Sequence, residues 1–281
     1  MRPKQWTKNV FLLAALVFDR QLTNVDSLIS TAIGLILFTL LISTVYIFND
    51  VSDIEADRQH PKKKNRPIAA GKVPVRSAIM AAVFILIITI PLSFWLSSGF
   101  GIISVAYFLM QLAYTKWIKH IPLLDVLTIA AGFVLRVAAG VAIIQVERFS
   151  PWMYVVTTLF ALYIGFGKRR AELVTLAENA DSHRRVLKGY NIPFLDQLIT
   201  IVSSTTIIAY SLYTFSAPNL PDNHITMLTI PFVLYGIFRW LYLMQVKGEG
   251  GAPEELILSD RPLQVVVMLY GITVLIIFYL F

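Results

Sequence analysis

The apolar run LISTAIGLILFTLLISTVYIF (residues 28–48) passes directly into the acidic stretch NDVSDIEAD (residues 49–57). As an α-helix the apolar run covers about 31 Å, enough to cross the ~30 Å hydrocarbon core of a bilayer. At 100° per residue, Asp50, Asp53 and Asp57 fall at about 0, 300 and 340° around that helix, which places them on one stripe. The sequence therefore predicts a membrane-spanning helix that continues without interruption through residues 35–60 and carries carboxylates out of the bilayer.

The composition extends this prediction to the whole chain, because 57% of its 281 residues are hydrophobic and only 15% are charged. These values exclude an ordinary soluble domain. Nine apolar segments are candidate spans: 10–18, 28–48, 77–97, 99–118, 121–146, 151–167, 194–216, 225–246 and 263–281. The first is too short to span unless polar flanks extend it. We expect an all-α polytopic membrane protein with nine transmembrane helices, built as a single integral membrane domain over residues 1–281.

The basic residues predict the orientation, since Lys and Arg accumulate in cytoplasmic loops near membrane spans. With nine crossings and a cytoplasmic N-terminus, all but four of the 24 Lys and Arg residues fall on the cytoplasmic side. The exceptions are Arg20 and Arg148 in external loops and Arg136 and Arg239 within apolar runs. We expect the C-terminus to be external and the protein to lie in a plasma membrane.

The net charge of +7 has the same explanation, because it lies where anionic lipid headgroups would meet it. A nucleic-acid partner is therefore not expected. The chain has no cysteine, which excludes disulfides, thiolate metal sites and cysteine nucleophiles. The first apolar run lacks a small-residue cleavage site and is followed by Asp19 and Arg20, so we expect no cleavable signal peptide.

The acidic stripe is a candidate metal site at the cytoplasmic interface. Neighbouring carboxylates repel and need counter-charge, and Mg²⁺ is commonly held by one or two carboxylates together with substrate phosphates. A basic loop, HPKKKNRPIAAGK (residues 60–72), follows directly, and Lys63 or Arg66 could grip phosphate oxygens. The alternatives are a solvated acidic helix end and a loop whose bases only enforce topology.

Two motifs carry a family resemblance: Asn49-Asp50-x-x-Asp53-x-x-x-Asp57-Arg58, and Arg66-Pro67-Ile68-x-x-Gly71. Together they resemble the first signature of UbiA-type intramembrane prenyltransferases, and the similarity continues through Tyr114-Thr115-Lys116 and the helix that begins at Pro122. The resemblance implies nine helices around a central cavity and Mg²⁺ held on a diphosphate leaving group. It implies Asp50, Asp53 and Asp57 as catalytic residues and metal ligands, with Asn49 as a further ligand.

The second half of the chain departs from the usual pattern, since it has no second Asp-rich motif. In its place are GKRRAEL (residues 167–173) and DSHRRVLKGY (residues 181–190). Many bases and few acids suit a donor with an additional phosphate. This combination, the opening RPKQWTKN (residues 2–9) and the segment EELILSDRPL (residues 254–263) resemble the decaprenyl-phosphate phosphoribosyltransferase branch. That branch implies phosphoribosyl diphosphate as donor and a polyprenyl phosphate as acceptor.

The residues expected to contact substrate are Lys8, Arg58, Lys63, Arg66, Lys116, Lys168, Arg169, Glu172, Arg184, Arg185 and Tyr190. Each has a plainer alternative, such as topology for the loop bases and interfacial anchoring for Lys8. Glu172 follows Arg169 by three residues, so an intrahelical ion pair is as plausible as a metal-ligand role. Asp125 and Arg136 lie within an apolar run, where they either face a cavity or pair with a structural partner.

The reaction expected from the resemblance is Mg²⁺-dependent transfer of 5-phosphoribosyl to a polyprenyl phosphate, with diphosphate released. The lipid phosphate is already ionised, so no strong general base is required, and the four histidines need no catalytic role. One alternative is a UbiA-type transferase that uses a polyprenyl diphosphate donor with an aromatic or other acceptor. The other is a lipid-binding or transport protein without turnover.

Overall fold

The computed structural model describes residues 3–59, 63–144, 146, 150–178, 185–217, 220–221, 223–249, 256–257 and 259–280. Over these residues the chain forms helices and turns and contains no strand. The α-helices are α1 (Ala14–Phe18), α2 (Val25–Ser52), α3 (Ile54–Gln59), α4 (Val75–Leu96), α5 (Ser98–Lys116), α6 (Leu124–Ile144), α7 (Pro151–Glu178), α8 (Ile192–Ser216), α9 (Ile230–Gln245) and α10 (Arg261–Leu280). Short 3₁₀-helices cover Pro3–Leu13, Lys63–Asn65, Ile118–His120, Arg185–Gly189 and Ile225–Thr229. The predicted all-α class is confirmed.

Seven helices in the described ranges are long and apolar enough to cross a membrane. They are Val25–Ser52, Val75–Leu96, Ser98–Lys116, Leu124–Ile144, Ile192–Ser216, Ile225–Gln245 and Arg261–Leu280. The predicted count of nine is not confirmed. The first predicted segment lies in a shorter apolar helix, Trp6–Phe18, and the sixth lies in α7, where Lys168, Arg169 and Arg170 interrupt the apolar run.

The predicted uninterrupted helix through residues 35–60 is wrong at one position. Helix α2 ends at Ser52, Asp53 lies in a turn with φ −101° and ψ 14°, and α3 begins at Ile54. Ser and Asp side chains compete with the helical backbone, which favours a break here. The i to i−4 pattern survives on both sides, because Asp53 donates its N–H to Asn49 and Asp57 donates to Asp53. The break thus places Asp53 outside the regular helix, while helix-type backbone hydrogen bonds continue on both sides of it.

The contacts divide the chain into two compact units. The first unit comprises Met1–Val17, Gln21–Lys119 and Leu135–Val146. Its core includes Leu12, Phe38, Leu41 and Phe100, where α2 packs against α4, α5 and the N-terminal 3₁₀-helix. Within this unit, α2 and α3 position the acidic stretch.

The second unit comprises Phe18–Arg20, His120–Val134 and Glu147–Phe281. Helix α7 packs along α8, and α9 packs along α10, around a core that includes Tyr163, Leu195, Ile199 and Trp240. This unit positions the basic stretch that begins at Lys168.

Arg136 has structural partners in the first unit. Its Nε donates to Asn9 Oδ1 at 3.2 Å, its Nη2 donates to Tyr107 Oη at 2.7 Å, and the guanidinium carbon lies 5.0 Å from the Tyr107 ring centroid. Asn9 is itself buried and donates to Thr39 Oγ1 at 2.8 Å. Of the two alternatives for this intramembrane arginine, the structure supports the structural partner, and the contact fastens the N-terminal 3₁₀-helix to the unit.

Candidate active site

One guanidinium nitrogen of Arg66 joins two of the predicted metal-binding aspartates. Nη1 lies 3.1 Å from Asp50 Oδ1 and 2.5 Å from Asp57 Oδ2. Asp57 is only 3% exposed, and a buried carboxylate needs a paired cation such as Arg66. Two of the three carboxylates predicted to share one stripe therefore converge, with an arginine between them.

The loop backbone explains why Arg66 reaches the carboxylates. Arg66 N–H donates to the Lys63 carbonyl at 2.9 Å, and Ala70 N–H donates to the Arg66 carbonyl at 2.8 Å. Gly71 closes this turn with φ +71°, a conformation that favours glycine. Val73 N–H then donates to the Pro67 carbonyl at 3.1 Å. The Arg-Pro-Ile-x-x-Gly motif thus folds as a compact turn that presents Arg66 to the acidic stretch.

Asp53 points to a different cation. Its Oδ1 accepts from Lys119 Nζ at 2.8 Å, and Lys119 lies in the 3₁₀-helix Ile118–His120 that follows α5. Sequence reasoning placed Lys119 among the cytoplasmic bases but did not single it out as a site residue. Its partner is about 66 positions away in the chain, and no local pattern links the two.

Arg58 forms two contacts of its own at this site. Its Nη1 pairs with Glu55 at 3.0 Å, and its Nε donates to the Ala69 carbonyl at 3.3 Å. Arg58 therefore ties α3 to the turn that carries Arg66. The Glu55 side chain is largely exposed, so this ion pair adds little stability.

The remaining predicted residues of the first unit are placed less centrally. Lys63 and Lys116 are exposed, and Lys116 Nζ lies 4.8 Å from the Trp117 ring centroid. Asn49 and Lys8 are half-buried, in α2 and the N-terminal 3₁₀-helix respectively. Their substrate roles stay predictions.

The donor set suits a magnesium ion held by two carboxylates. Over the described residues there is no cluster of three His, Asp or Glu side chains close enough to hold a metal together. Asp50 and Asp57 nevertheless converge on one cation, and Mg²⁺ commonly takes one or two carboxylates and completes its shell with phosphates and water. The residues therefore fit Mg²⁺ as the Asp50–Asp57 pair, whereas Asp53 is paired with Lys119.

In the second unit, Arg169 lies in a buried network rather than on a basic surface. Its Nε donates to Asp125 Oδ2 at 2.7 Å, and its Nη1 donates to Glu172 Oε2 at 2.7 Å. Asp125 is 0% and Arg169 2% exposed. The intrahelical Arg169–Glu172 ion pair considered from the spacing is present. Of the two alternatives for Asp125, a cavity-facing residue or a structural pair, the structure has the pair, with Arg169 of helix α7.

Tyr190 completes this network. Its hydroxyl donates to Asp125 Oδ1 at 2.6 Å and accepts the Leu123 N–H at 2.6 Å. Burial, and then the hydrogen bond to Asp125, raise the pKa of the Tyr190 phenol. Gly189 lies against Pro122 so closely that a Cβ there would clash. These contacts fix the Arg185–Gly189 segment to the start of α6.

The neighbouring bases differ in their partners. Arg170 Nε donates to Asp196 Oδ1 at 2.6 Å, a partner that sequence reasoning missed. Lys168 is half-buried, and within the part of the chain that the structure describes it has no hydrogen-bond or ion-pair partner. Arg184 lies outside the described residues, as does the side chain of Arg185. Among residues 168–170, Lys168 is thus the base that no described acid balances.

Comparison with known proteins agrees with this architecture. The UbiA prenyltransferase family matches residues 10–249. The chain is 35% identical over 277 residues to the decaprenyl-phosphate phosphoribosyltransferase of Corynebacterium glutamicum, covering 95% of this chain and 82% of that protein. It is 32% identical over 279 residues to the enzyme of the same name from Mycobacterium tuberculosis, covering 98% and 91%.

The fold is also similar to a solved structure. A UbiA homolog from Archaeoglobus fulgidus, solved bound to GPP and Mg²⁺, superposes with a TM-score of 0.75 at 18% identity, over 99% of this chain and 97% of that one. The fold and the sequence identity over nearly the whole chain agree. The chain belongs to the UbiA prenyltransferase family.

Proposed function

We propose that this protein is a membrane phosphoribosyltransferase, which transfers 5-phosphoribosyl from phosphoribosyl diphosphate to a polyprenyl phosphate and releases diphosphate. The observation that carries the proposal is the 32–35% identity, over nearly the whole chain, to several decaprenyl-phosphate phosphoribosyltransferases. The charge pattern supports it, because the segments 167–173 and 181–190 are rich in bases, whereas a prenyl diphosphate enzyme of this family would carry a second Asp-rich motif there.

The acidic site of the first unit suits the diphosphate. Asp50 and Asp57 are the residues that would hold Mg²⁺, and the solved relative with Mg²⁺ bound supports a metal dependence. When bound, the metal neutralises charge that develops on the leaving diphosphate. Arg66, which bridges the two carboxylates, is then available to donate to a phosphate oxygen with the same guanidinium.

The chain's own residues act mainly by position and charge. The bond between ribose C1 and the diphosphate oxygen breaks, and a new bond forms between C1 and an oxygen of the lipid phosphate. The electron pair of the broken bond leaves with the diphosphate. Because the attacking oxygen is already ionised, no residue must remove a proton, and catalysis rests on alignment and electrostatic stabilisation. Lys119 balances the charge of Asp53 beside this site.

In the second unit, Lys168 is the base proposed to contact a substrate phosphate. Arg169 and Arg170 already balance Asp125, Glu172 and Asp196. Arg169 and Tyr190 are proposed to act by holding the basic segment in place. Lys168 is half-buried with no partner among the described residues, so its charge remains available to an incoming anion.

The orientation belongs to the same proposal. Phosphoribosyl diphosphate is water-soluble and the bases follow the cytoplasmic side of the predicted topology, so the N-terminus and the acidic site are proposed to be cytoplasmic and the C-terminus external. Reporter fusions at either end of the chain test this assignment: an external N-terminal reporter would contradict it.

A donor-choice assay tests the activity. Membranes containing the protein receive ribose-labelled phosphoribosyl diphosphate with a polyprenyl phosphate, and parallel membranes receive labelled prenyl diphosphate with an aromatic acceptor. The proposal predicts organic-extractable label only from the first donor, dependent on the lipid phosphate. Label only from the prenyl donor would favour the family's other chemistry. No label and no diphosphate release with several polyprenyl phosphates would favour a lipid-binding protein without turnover.

A further inference from the structure

An open groove lies between helices α9 and α10 of the second unit, and the proposed reaction does not use it. Its volume is about 540 Å³, within the range of roughly 300 to 1,000 Å³ for small-molecule sites. Its described lining comprises Pro231, Phe232, Tyr235, Arg261, Pro262, Val265, Val266 and Leu269. Tyr235, Val265 and Leu269 are each more than 40% exposed, so the groove opens outward along two membrane-length helices.

The chemistry of the groove changes along its length. Of the described lining residues, one is charged: Arg261, the first residue of α10, which is exposed. The remaining lining is apolar or aromatic and extends along α10 to Leu269. Because α10 runs from Arg261 into an apolar span, Arg261 lies at its polar end, at the level of lipid headgroups.

Arg261 keeps its charge at that end of the groove, because the neighbouring described acid, Asp260, pairs with another arginine. Asp260 accepts from Arg239 twice, at 3.1 Å and 2.7 Å, and also accepts the Leu263 N–H at 2.9 Å. The hydrogen bonds from Arg239 hold the pKa of the Asp260 carboxyl below its usual value. The Arg239 guanidinium lies 5.2 Å from the ring centroid of Tyr242, and tyrosine is enriched at the membrane interface. Among the residues that the structure describes here, Asp260 is thus balanced by Arg239, and Arg261 presents its charge to the groove.

We propose that this groove binds one anionic glycerophospholipid of the surrounding bilayer, with its phosphate on Arg261 and an acyl chain along Phe232, Val265 and Leu269. An open, apolar groove with one cation at headgroup level matches a single negative charge attached to a hydrocarbon chain. The bilayer itself supplies this ligand in excess. The proposal does not depend on the proposed reaction, because it concerns binding without turnover.

Native mass spectrometry of the purified protein, titrated with phosphatidylglycerol or phosphatidylcholine, tests the proposal. We expect one phosphatidylglycerol to be retained in preference to phosphatidylcholine. Arg261→Gln should weaken phosphatidylglycerol binding about fivefold and remove the headgroup preference. Val265→Trp, at an exposed position, should fill the groove and weaken both lipids. Thermal unfolding without lipid checks that each variant is folded.

Arg76→Gln is the matched control, because Arg76 is also an exposed arginine in the first turn of a spanning helix, α4, and does not line this groove. It should bind phosphatidylglycerol like the unchanged protein. Equal binding of the two phospholipids, or equal losses in the Arg261 and Arg76 variants, would overturn the proposal. So would stoichiometric displacement of phosphatidylglycerol by a polyprenyl phosphate, which would assign the groove to the acceptor.

Discussion

The Nη1 atom of Arg66 lies 2.5 Å from Oδ2 of Asp57, a carboxylate that is almost completely buried. The same nitrogen contacts Asp50. A cation from the basic loop therefore lies between the two carboxylates that are proposed to hold the metal ion. Metal binding and the conformation of this loop should consequently be coupled.

Replacing Arg66 should expose that coupling. Arg66→Gln leaves the buried Asp57 charge without its cation, and we expect a loss of about 1 to 3 kcal/mol of unfolding free energy. This is below the cost of breaking a fully buried pair, because the Arg66 side chain is 24% exposed. Added Mg²⁺ should stabilise Arg66→Gln more than the unchanged protein, measured by thermal unfolding. Arg76→Gln is the control, and an equal effect of Mg²⁺ on all three proteins would contradict the coupling.

Neutralising either carboxylate of the pair should abolish most of the activity. We expect Asp50→Asn and Asp57→Asn each to lower kcat by about 10²-fold or more, the scale typical for removal of a group that stabilises developing charge. Asp26→Asn is the control, because Asp26 is exposed in the first turn of the same helix α2. Diphosphate release is the readout. Unchanged release by both variants would show that this pair does not hold the reacting diphosphate.

Substitution of two nearby bases of α7, Lys168 and Arg170, should separate an effect on substrate binding from an effect on stability. Lys168→Met should raise the KM for one of the two substrates by about 10- to 100-fold, the value of a hydrogen bond to a charged group, with thermal stability retained. Arg170→Met removes the same charge but breaks the pair with Asp196, so its main effect should be lower stability. Steady-state kinetics with each substrate and thermal unfolding distinguish the two. The reverse pattern would reassign Lys168 to structure.

Tyr190 should stabilise the second unit below its unfolded pKa. Tyr190→Phe leaves the Leu123 N–H and an Asp125 oxygen without a partner, at a cost of about 1 to 3 kcal/mol. Because the pKa of the Tyr190 phenol is raised in the folded protein, its contribution is fully present below pH ~10 and declines as the pH rises further.

Thermal unfolding between pH 8 and 11 is the measurement for Tyr190. The difference between the unchanged protein and Tyr190→Phe should shrink only at the alkaline end. Tyr235→Phe, at a position that is 47% exposed, is the control for loss of a hydroxyl. A difference that is absent at pH 8 would show that the Asp125–Tyr190 bond is not stabilising.

Helices, and contacts between residues that lie close together in the chain, were predictable from the sequence. Long apolar runs leave no alternative to helices in a bilayer, so the fold class follows from hydropathy alone. The helical spacing placed Asp50, Asp53 and Asp57 on one stripe, and two of them, Asp50 and Asp57, do converge on Arg66. The spacing of Arg169 and Glu172 gave an ion pair as one of two alternatives, and that pair is present. In each case the interacting groups lie within two turns of helix or belong to one motif.

Features set by distant contacts were not predictable. Lys119 with Asp53, Asp196 with Arg170, and Arg169 with Asp125 join residues far apart in the chain. A charge pattern shows that bases are present but not which carboxylate each base balances. For the same reason Lys168 and Arg169 were both predicted to contact substrate, although they differ in burial and partners.

The most direct test of the proposed activity is the mass of the lipid product made by the purified protein. Both candidate donors are supplied together with Mg²⁺, a polyprenyl phosphate and an aromatic acceptor. The molecular mass of each lipid product is measured, and its amount is compared with the amount of diphosphate released. The proposed function predicts a polyprenyl phosphate heavier by one phosphoribosyl group, formed one for one with diphosphate and lost in Asp50→Asn. A prenylated aromatic product, with the polyprenyl phosphate unchanged, would contradict it.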